Sequence, residues 1–407
     1  MGSDRFARSV FTLSSHDSAS DSPARGTTPF RVAVPDSALA DLRERLERCR
    51  WPAPETVPDE SQGLPLALAK ELHEYWLTEY DWRRCEAQIN AYEQVLVPVT
   101  GGGDEPLDIH VLHARSPRPD AMPLLVTHGW PGSIVEYLDL LPQLTDPEDP
   151  SEIAFHVVLP TLPGFGFSGK PTRTGWGAER IVLAWSEIMR GLGYPRYAAH
   201  GGDWGSAVTE SLGAALPDEV LGIHITLPLA KADPDTADLD EADRARTAAT
   251  DLFRSNGRGY SVLQSSRPQT VGYALADSPM GQCSWIAEKF REWVDPTGDD
   301  WPLAKDRVLD NVMMYWLTNT AASSARLYWE SAVSPPMEPV PVPTAISQYP
   351  KEMTRIPRAW IDRRFSDIRA WVEHPHGGHF AAMEHPDSLL ADLRSFFGGL
   401  RPASERS

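Results

Sequence analysis

Asp203 stands at the centre of Gly201-Gly202-Asp203-Trp204-Gly205, immediately after the apolar run Tyr197–His200. Small residues flanking an acid between a strand-like run and a helix-forming stretch form the pattern of a nucleophile elbow. The turn is sharp, and larger flanking side chains would clash. An exposed carboxylate at such a corner attacks saturated carbon and forms an ester. The attacked carbon must carry a leaving oxygen or halide, so the pattern points to epoxides or alkyl halides rather than peptides or ordinary esters. The plainer alternative is a glycine-rich turn whose aspartate caps a helix.

Two further segments fit the same chemistry. His128-Gly129-Trp130-Pro131-Gly132-Ser133 follows the apolar run Leu124–Thr127. Folds with a nucleophile elbow build an oxyanion hole from two backbone N–H groups, one after the nucleophile and one from the loop after an earlier strand. Trp204 and Trp130 occupy those positions and would hold the negative oxygen formed when an ester is hydrolysed. Gly377-Gly378-His379-Phe380 follows the apolar run Arg369–Val372. The order nucleophile, acid, histidine singles out His379 as the base over His374, His376 and His385. The acid then lies between the two. Glu352 is favoured because it follows the run Val340–Ile346 closely, with Asp362 and Asp367 as rivals. Such an acid holds the imidazole tautomer and stabilises the imidazolium.

The elements that must position these groups are legible in outline. Pro29–Val34 reads as a short strand, and Asp36 or Ser37 can cap a helix carrying Leu39, Leu42, Leu46 and Cys49 at helical spacing. Residues 64–98 read as helical, with Leu68, Leu72, Trp76 and Ile89. From residue 106 short apolar runs alternate with helical stretches: Val111–His113, Leu124–Thr127, Phe155–Leu159, Tyr197–His200 and Ile223–Leu227. That alternation predicts an α/β fold with a mostly parallel central sheet and helices on both faces. Residues 231–339 break the rhythm with a polar, aromatic-rich helical texture, and strand-like runs resume at Val340. The expected organisation is a disordered tail (1–27), an N-terminal region (28–105), the first part of the core (106–230), a helical lid (231–339), the second part of the core (340–400) and a short tail (401–407).

Composition narrows the partners. With 38 Lys+Arg against 57 Asp+Glu the 407-residue chain carries a net charge of −19, which repels nucleic acid and anionic membrane surfaces. Cys49, Cys85 and Cys283 are scattered and form no CxxC, which fits a reducing cytoplasm rather than a disulfide framework or zinc site. No apolar run approaches the ~18 residues of a membrane span, and no secretory core is evident. Neither metal nor organic cofactor is expected. A homo-oligomer is compatible with the composition.

The motifs together resemble those of the microsomal-type epoxide hydrolases of the α/β-hydrolase superfamily. The matching stretches are HGWPGS from His128, PTLPGFGFS ending at Ser168, GGDWGS from Gly201 and GGHFAA from Gly377. The segment Phe30–Pro52, the lid stretches PQTVGYALADSPMG and NVMMYWLTNT, and VPTAISQYPKE around the acid extend the likeness over roughly residues 28–398. The resemblance implies Asp203 as nucleophile, His379 as base and Glu352 as acid. It further implies that Tyr260, in NGRGYSVLQ, and Tyr328, in SSARLYWE, donate hydrogen bonds to the epoxide oxygen, whereas Tyr273 and Tyr315 merely pack. The expected reaction adds water to a small apolar epoxide, aryl epoxides included, giving a vicinal diol through an ester on Asp203. A haloalkane dehalogenase, which also uses an aspartate followed by tryptophan, is the alternative enzyme, and a non-catalytic binding protein of the fold is the alternative class. The apolar N-terminal anchor of the mammalian members has no counterpart here.

Overall fold

The computed structural model describes residues 26–230, 239–296, 301–332 and 337–401. The expected N-terminal tail up to residue 25, and the C-terminal tail beyond 401, lie outside the described residues. Nine strands form one sheet: β1 (Thr28–Pro29), β2 (Glu93–Val99), β3 (Leu107–Ala114), β4 (Met122–Thr127), β5 (Phe155–Pro160), β6 (Tyr197–Gly201), β7 (Val220–Ile225), β8 (Thr344–Gln348) and β9 (Ile368–Glu373). Their spatial order is β1-β2-β3-β5-β4-β6-β7-β8-β9. The strands from β5 to β9 pair in parallel, and β1, β2 and β3 join antiparallel. Strands β4, β6 and β7 present continuous or nearly continuous apolar surface to both faces, as a parallel sheet covered by helices requires.

The helices in chain order are α1 (Asp36–Glu47), α2 (Leu66–Thr78), α3 (Trp82–Ile89), α4 (Leu141–Thr145), α5 (Ala178–Gly191), α6 (Trp204–Ala215), α7 (Glu241–Leu252), α8 (Gly259–Ser266), α9 (Pro268–Asp277), α10 (Pro279–Glu292), α11 (Lys305–Thr318), α12 (Ala321–Glu330), α13 (Arg358–Ile361), α14 (Ala381–Glu384) and α15 (Pro386–Gly399). In α5 the residues Ile181, Trp185, Ile188 and Met189 are buried while Glu179 and Arg190 sit near its two ends. That stripe lays the helix on the sheet. Helices α7 to α12 are the insertion between β7 and β8.

Four readings of the sequence need correction. Of the run Pro29–Val34 only Pro29 lies in a strand, at the end of β1; beyond it, Val32 and Val34 spend their backbone N–H groups on the Asn90 and Glu86 side chains instead of a ladder. Residues 64–98 are not helical throughout. Their last part is β2, whose alternating burial follows a two-residue period and pairs it with β3 from Glu93 to Val99. The strand expected over Val340–Ile346 starts at Thr344, because Pro341 and Pro343 lack the N–H groups a ladder needs; Val340 makes only an isolated bridge to Phe365. The first helix also begins without a side-chain cap, after Pro35, with Asp36 inside its first turn.

The N-terminal helices clamp the lid rather than the sheet alone. Arg84 donates to both oxygens of Asp310 on α11, at 2.7 Å each, and the Tyr80 hydroxyl donates to the same carboxylate at 2.9 Å. Tyr75 donates to Asp306 at 3.0 Å, and Arg291 on α10 pairs with Glu60. A fully buried carboxylate satisfied by three donors holds its geometry far better than a rim pair would.

Candidate active site

Four loops at the carboxyl ends of parallel strands converge on one point. They follow β4, β6, β8 and β9, with the chain reversing direction across the sheet at β4, where β5 lies on one side and β6 on the other. Open α/β sheets bind ligands at such a switch point.

Asp203 occupies the corner between β6 and α6 with φ 51° and ψ −127°, a conformation costly for a residue with a side chain. The corner is tight: a Cβ on Gly201 would overlap the Gly205 carbonyl oxygen, and one on Gly205 would overlap that of Thr127. The two glycines of the HGWPGS loop are needed for another reason. A Cβ on Gly129 would collide with the Asp203 carboxylate, and one on Gly132 with the carboxylate of Glu136. His128 itself points away from the chemistry. Its Nε2 accepts from Leu162 N at 3.2 Å and its Nδ1 lies 3.0 Å from the Gly129 carbonyl, so it fastens this loop to the PTLPGFG loop. Burial lowers its pKa to about 4, which keeps the ring neutral for that task.

The Asp203 carboxylate is gripped from two sides. The Trp130 backbone N–H donates to Oδ1 at 2.7 Å, and His379 Nε2 lies 3.4 Å from Oδ2. His379 Nδ1 lies 2.9 and 3.1 Å from the two oxygens of Glu352. The structure thus brings Asp203, His379 and Glu352 into one line. Asp362 and Asp367 are engaged with Arg358 and Arg369 at the surface. Burial opposes a charge on His379, but the Glu352 carboxylate and the Asp203 carboxylate on its other side outweigh it and raise its pKa well above the ordinary histidine value. The other histidines of this region are elsewhere: His374 pairs with Asp392 at 2.7 Å, and His376 is three-quarters exposed, with 75% of its side chain accessible.

Tyr260 and Tyr328 face this line from α8 and α12. The Tyr260 ring stacks on Trp130 at 5.1 Å, and Tyr328 meets Trp130, Trp204 and Tyr260 edge-on at 5.0 to 5.8 Å. Trp204 lies against Tyr328 with ring centroids 5.0 Å apart, and Tyr328 lies 5.8 Å from Tyr260. Burial and the Asp203 charge raise both phenols above their ordinary pKa, so both are neutral proton donors. The Lys289 ammonium lies 4.9 Å over the Tyr260 ring, held by Glu288 and Glu292. The pair expected only to pack divides. Tyr315 is buried and its hydroxyl donates to the Gly132 carbonyl at 2.7 Å, but Tyr273 is 70% exposed and packs against little, because the outer face of α9 looks to solvent.

Sequence reasoning passed over four residues that shape this site. Trp293 lies 5.1 Å from the His379 ring and its carbonyl accepts the His379 N–H at 2.8 Å. Asn311 binds Ser133 Oγ at 2.6 Å and the Pro131 carbonyl, locking the lid to the HGWPGS loop. Lys289 and Glu136 complete the set. Asn311 opens the lid stretch NVMMYWLTNT and Glu136 lies three residues beyond HGWPGS, so both were within sight of a motif; Trp293 and Lys289 carried no pattern of their own.

Comparison with known proteins identifies the family. Residues 27–137 match the family model for the epoxide hydrolase N terminus, and residues 122–338 match that for the α/β hydrolase fold. A protein of Stigmatella aurantiaca is 49% identical over 92% of this chain and 86% of its own. Epoxide hydrolase 1 of Sus scrofa is 30% identical, covering 91% of this chain and 88% of its own. Among solved structures, an Aspergillus niger epoxide hydrolase superposes with a TM-score of 0.84 at 31% identity, over 93% of this chain and 98% of that one. Among the described residues no helix is long and apolar enough to cross a membrane. The sheet, the elbow and the matched N-terminal segment place the chain in the microsomal-type epoxide hydrolase family of the α/β-hydrolase fold.

Proposed function

We propose that this epoxide hydrolase works through a covalent ester on Asp203, formed and then hydrolysed in two steps. An apolar epoxide, aryl epoxides included, enters between core and lid, where the rings of Trp130, Trp204, Trp293, Tyr260 and Tyr328 supply an apolar wall with few polar groups. Asp203 attacks one ring carbon. The carbon–oxygen bond breaks, and the departing oxygen takes a proton from a tyrosine. Tyr260 and Tyr328, both neutral and buried beside Asp203, hydrogen-bond the epoxide oxygen, and one of them gives up its proton as the ring opens. An alkoxide is a poor leaving group, and general-acid help of this kind is worth ~10²–10⁴ in rate.

The second step uses the electrostatics of the triad. Once Asp203 is an ester it carries no charge, and one of the two carboxylates that raise the His379 pKa is gone. His379 then gives up its proton, which returns to the tyrosinate, and becomes a base when a base is needed. It takes a proton from water. The water oxygen attacks the ester carbonyl, and the oxyanion is met by the N–H groups of Trp130 and Trp204. The bond between the Asp203 acyl carbon and the alkyl oxygen breaks, the proton passes from His379 to that leaving oxygen, and a vicinal diol departs. Glu352 keeps the imidazole oriented throughout.

The observation that carries this reading is the single carboxylate held between the Trp130 N–H and His379, under two neutral phenols. One turnover in water enriched in heavy oxygen tests it. The diol should carry an unlabelled new hydroxyl, donated by Asp203, and the label should appear in the protein. A labelled diol from the first turnover would mean that water opens the ring directly. For location we propose the cytoplasm, supported by three free cysteines.

A further inference from the structure

A small cavity adjoins the catalytic line on a side that the two tyrosines do not reach. Asp203, His379 and Trp130 form part of its wall, and Glu136, His200 and Thr226 form much of the rest. Tyr260 and Tyr328 do not line it. It has room for roughly one water molecule, and such a water is held only where two to four polar partners surround it.

Those partners are present and oriented. Glu136 is partly buried on the short helical turn Ile134–Tyr137, and its carboxyl lies over Gly132, where a Cβ would displace it. Burial lifts its pKa to about 8, so at neutral pH it is largely a carboxylic acid that both donates and accepts, and it does not repel Asp203.

His200 is oriented by a chain of hydrogen bonds. Ser347 donates to Asp392 at 2.5 Å, so its oxygen accepts from His224 Nε2, at 2.9 Å. Burial keeps both histidines neutral, so His224 Nδ1 accepts and His200 Nδ1 donates to it, at 3.1 Å. His200 Nε2 is then the free acceptor toward the cavity that this ring lines.

We propose that this cavity holds the water that hydrolyses the Asp203 ester, with Glu136 as its positioning residue and His200 as its second anchor. The separation of sides makes chemical sense. The water waits beside His379 and the Asp203 carboxyl but apart from the phenols where the epoxide opens. After alkylation His379 takes one of its protons, its oxygen bonds to the ester carbon, and the alkyl oxygen leaves with that proton.

This inference rests on the two-step reading above, and the test separates the two. Rapid-quench intact-mass measurements with styrene oxide give the rates of ester formation and ester decay in the wild type, Glu136→Ala, Glu136→Gln and Gly202→Ala. Misplacing a reacting group by about 1 Å costs up to ~10² in rate, so Glu136→Ala should slow ester decay by ~10- to 100-fold and leave formation within ~3-fold. Glu136→Gln, which still donates and accepts, should restore most of the decay rate. Gly202→Ala directs a methyl toward the water, 3.1 Å from Thr226 Oγ1 and 3.9 Å from Tyr137 Oη, without meeting backbone, and should slow decay alone. It keeps the proposal testable if Glu136→Ala does not fold. Formation and decay falling together, or decay unchanged in Gly202→Ala and Glu136→Ala, overturns the proposal. No ester in the wild type or in His379→Gln would instead overturn the two-step reading itself.

Discussion

Replacing His379 by glutamine removes the proposed base and keeps the groups proposed to open the ring. His379 Nε2 lies 3.4 Å from Asp203 Oδ2, and its Nδ1 lies 2.9 Å from Glu352. A glutamine amide fills part of the space but takes no proton. Asp203 keeps its hydrogen bond from the Trp130 N–H, and Tyr260 and Tyr328 keep their rings against Trp130 and Trp204. Ester formation should therefore persist while ester hydrolysis slows by the worth of a general base, ~10²–10⁴. That is roughly 3 to 5 kcal/mol on the second barrier at ~1.4 kcal/mol per decade. If hydrolysis becomes even ~10²-fold slower than formation, about 99% of the enzyme stands as ester in steady state. The assay is intact mass after mixing with excess epoxide, with the adduct equal to the full mass of the substrate because no atom leaves when the ring opens. Peptide mapping should place it on residues 201–205. Steady consumption of epoxide by His379→Gln with no adduct would refute the covalent reasoning, because nothing would then wait for a base.

Three other outcomes follow from the same structure. Asp203→Asn should bind an epoxide with near-unchanged affinity, read by calorimetry, and form no diol; full turnover would exclude Asp203 as nucleophile. Tyr260→Phe with Tyr328→Phe should lower single-turnover ester formation by ~10²-fold or more, because the alkoxide then leaves without a proton; an unimpaired double variant would remove the tyrosines from the reaction. Arg364→Met strands Glu210, which is fully buried, pairs with Arg364 and accepts from Leu229 N at 2.8 Å. Burial raises the Glu210 pKa to about 7, with Arg364 the main opposing influence. A carboxyl with a folded pKa above its unfolded value of 4.5 lends stability while protonated, and that stability fades as pH rises through about 7. Losing the arginine should therefore cost more at pH 8, about 3–5 kcal/mol by urea melts, than at pH 6. An equal loss at both pH values would show that the pair does not govern the charge on Glu210.

The candidate site was legible in the sequence wherever backbone geometry restricts residue choice. The elbow admits only small residues around Asp203, the HGWPGS loop admits only glycine where carboxylates press on the chain, and the order aspartate, glutamate, histidine follows from the order of the strands. The alternation of apolar runs and helical stretches likewise carried the parallel sheet, because both faces of those strands must be apolar. What failed was local: Pro29–Val34 is apolar enough for a strand but bonds to side chains, and Glu93–Val99 hid at the end of a helical stretch.

Tertiary structure alone decided the rest. The triad spans 177 positions from Asp203 to His379, inclusive, and its distances depend on four strand ends that meet only when the sheet closes. Tyr273 and Tyr315 look alike in the sequence, yet one faces solvent and the other braces the HGWPGS loop, because a helix face acquires meaning only from what packs on it. The same holds for Glu136 and His200. A glutamate on a short turn and a histidine in a strand have no periodic signature, and they become partners only because the fold leaves one small hollow between them, next to the nucleophile. Sequence fixes which groups are available and which backbone shapes they allow; long-range packing sets the distances and the local dielectric, and so decides which groups act together.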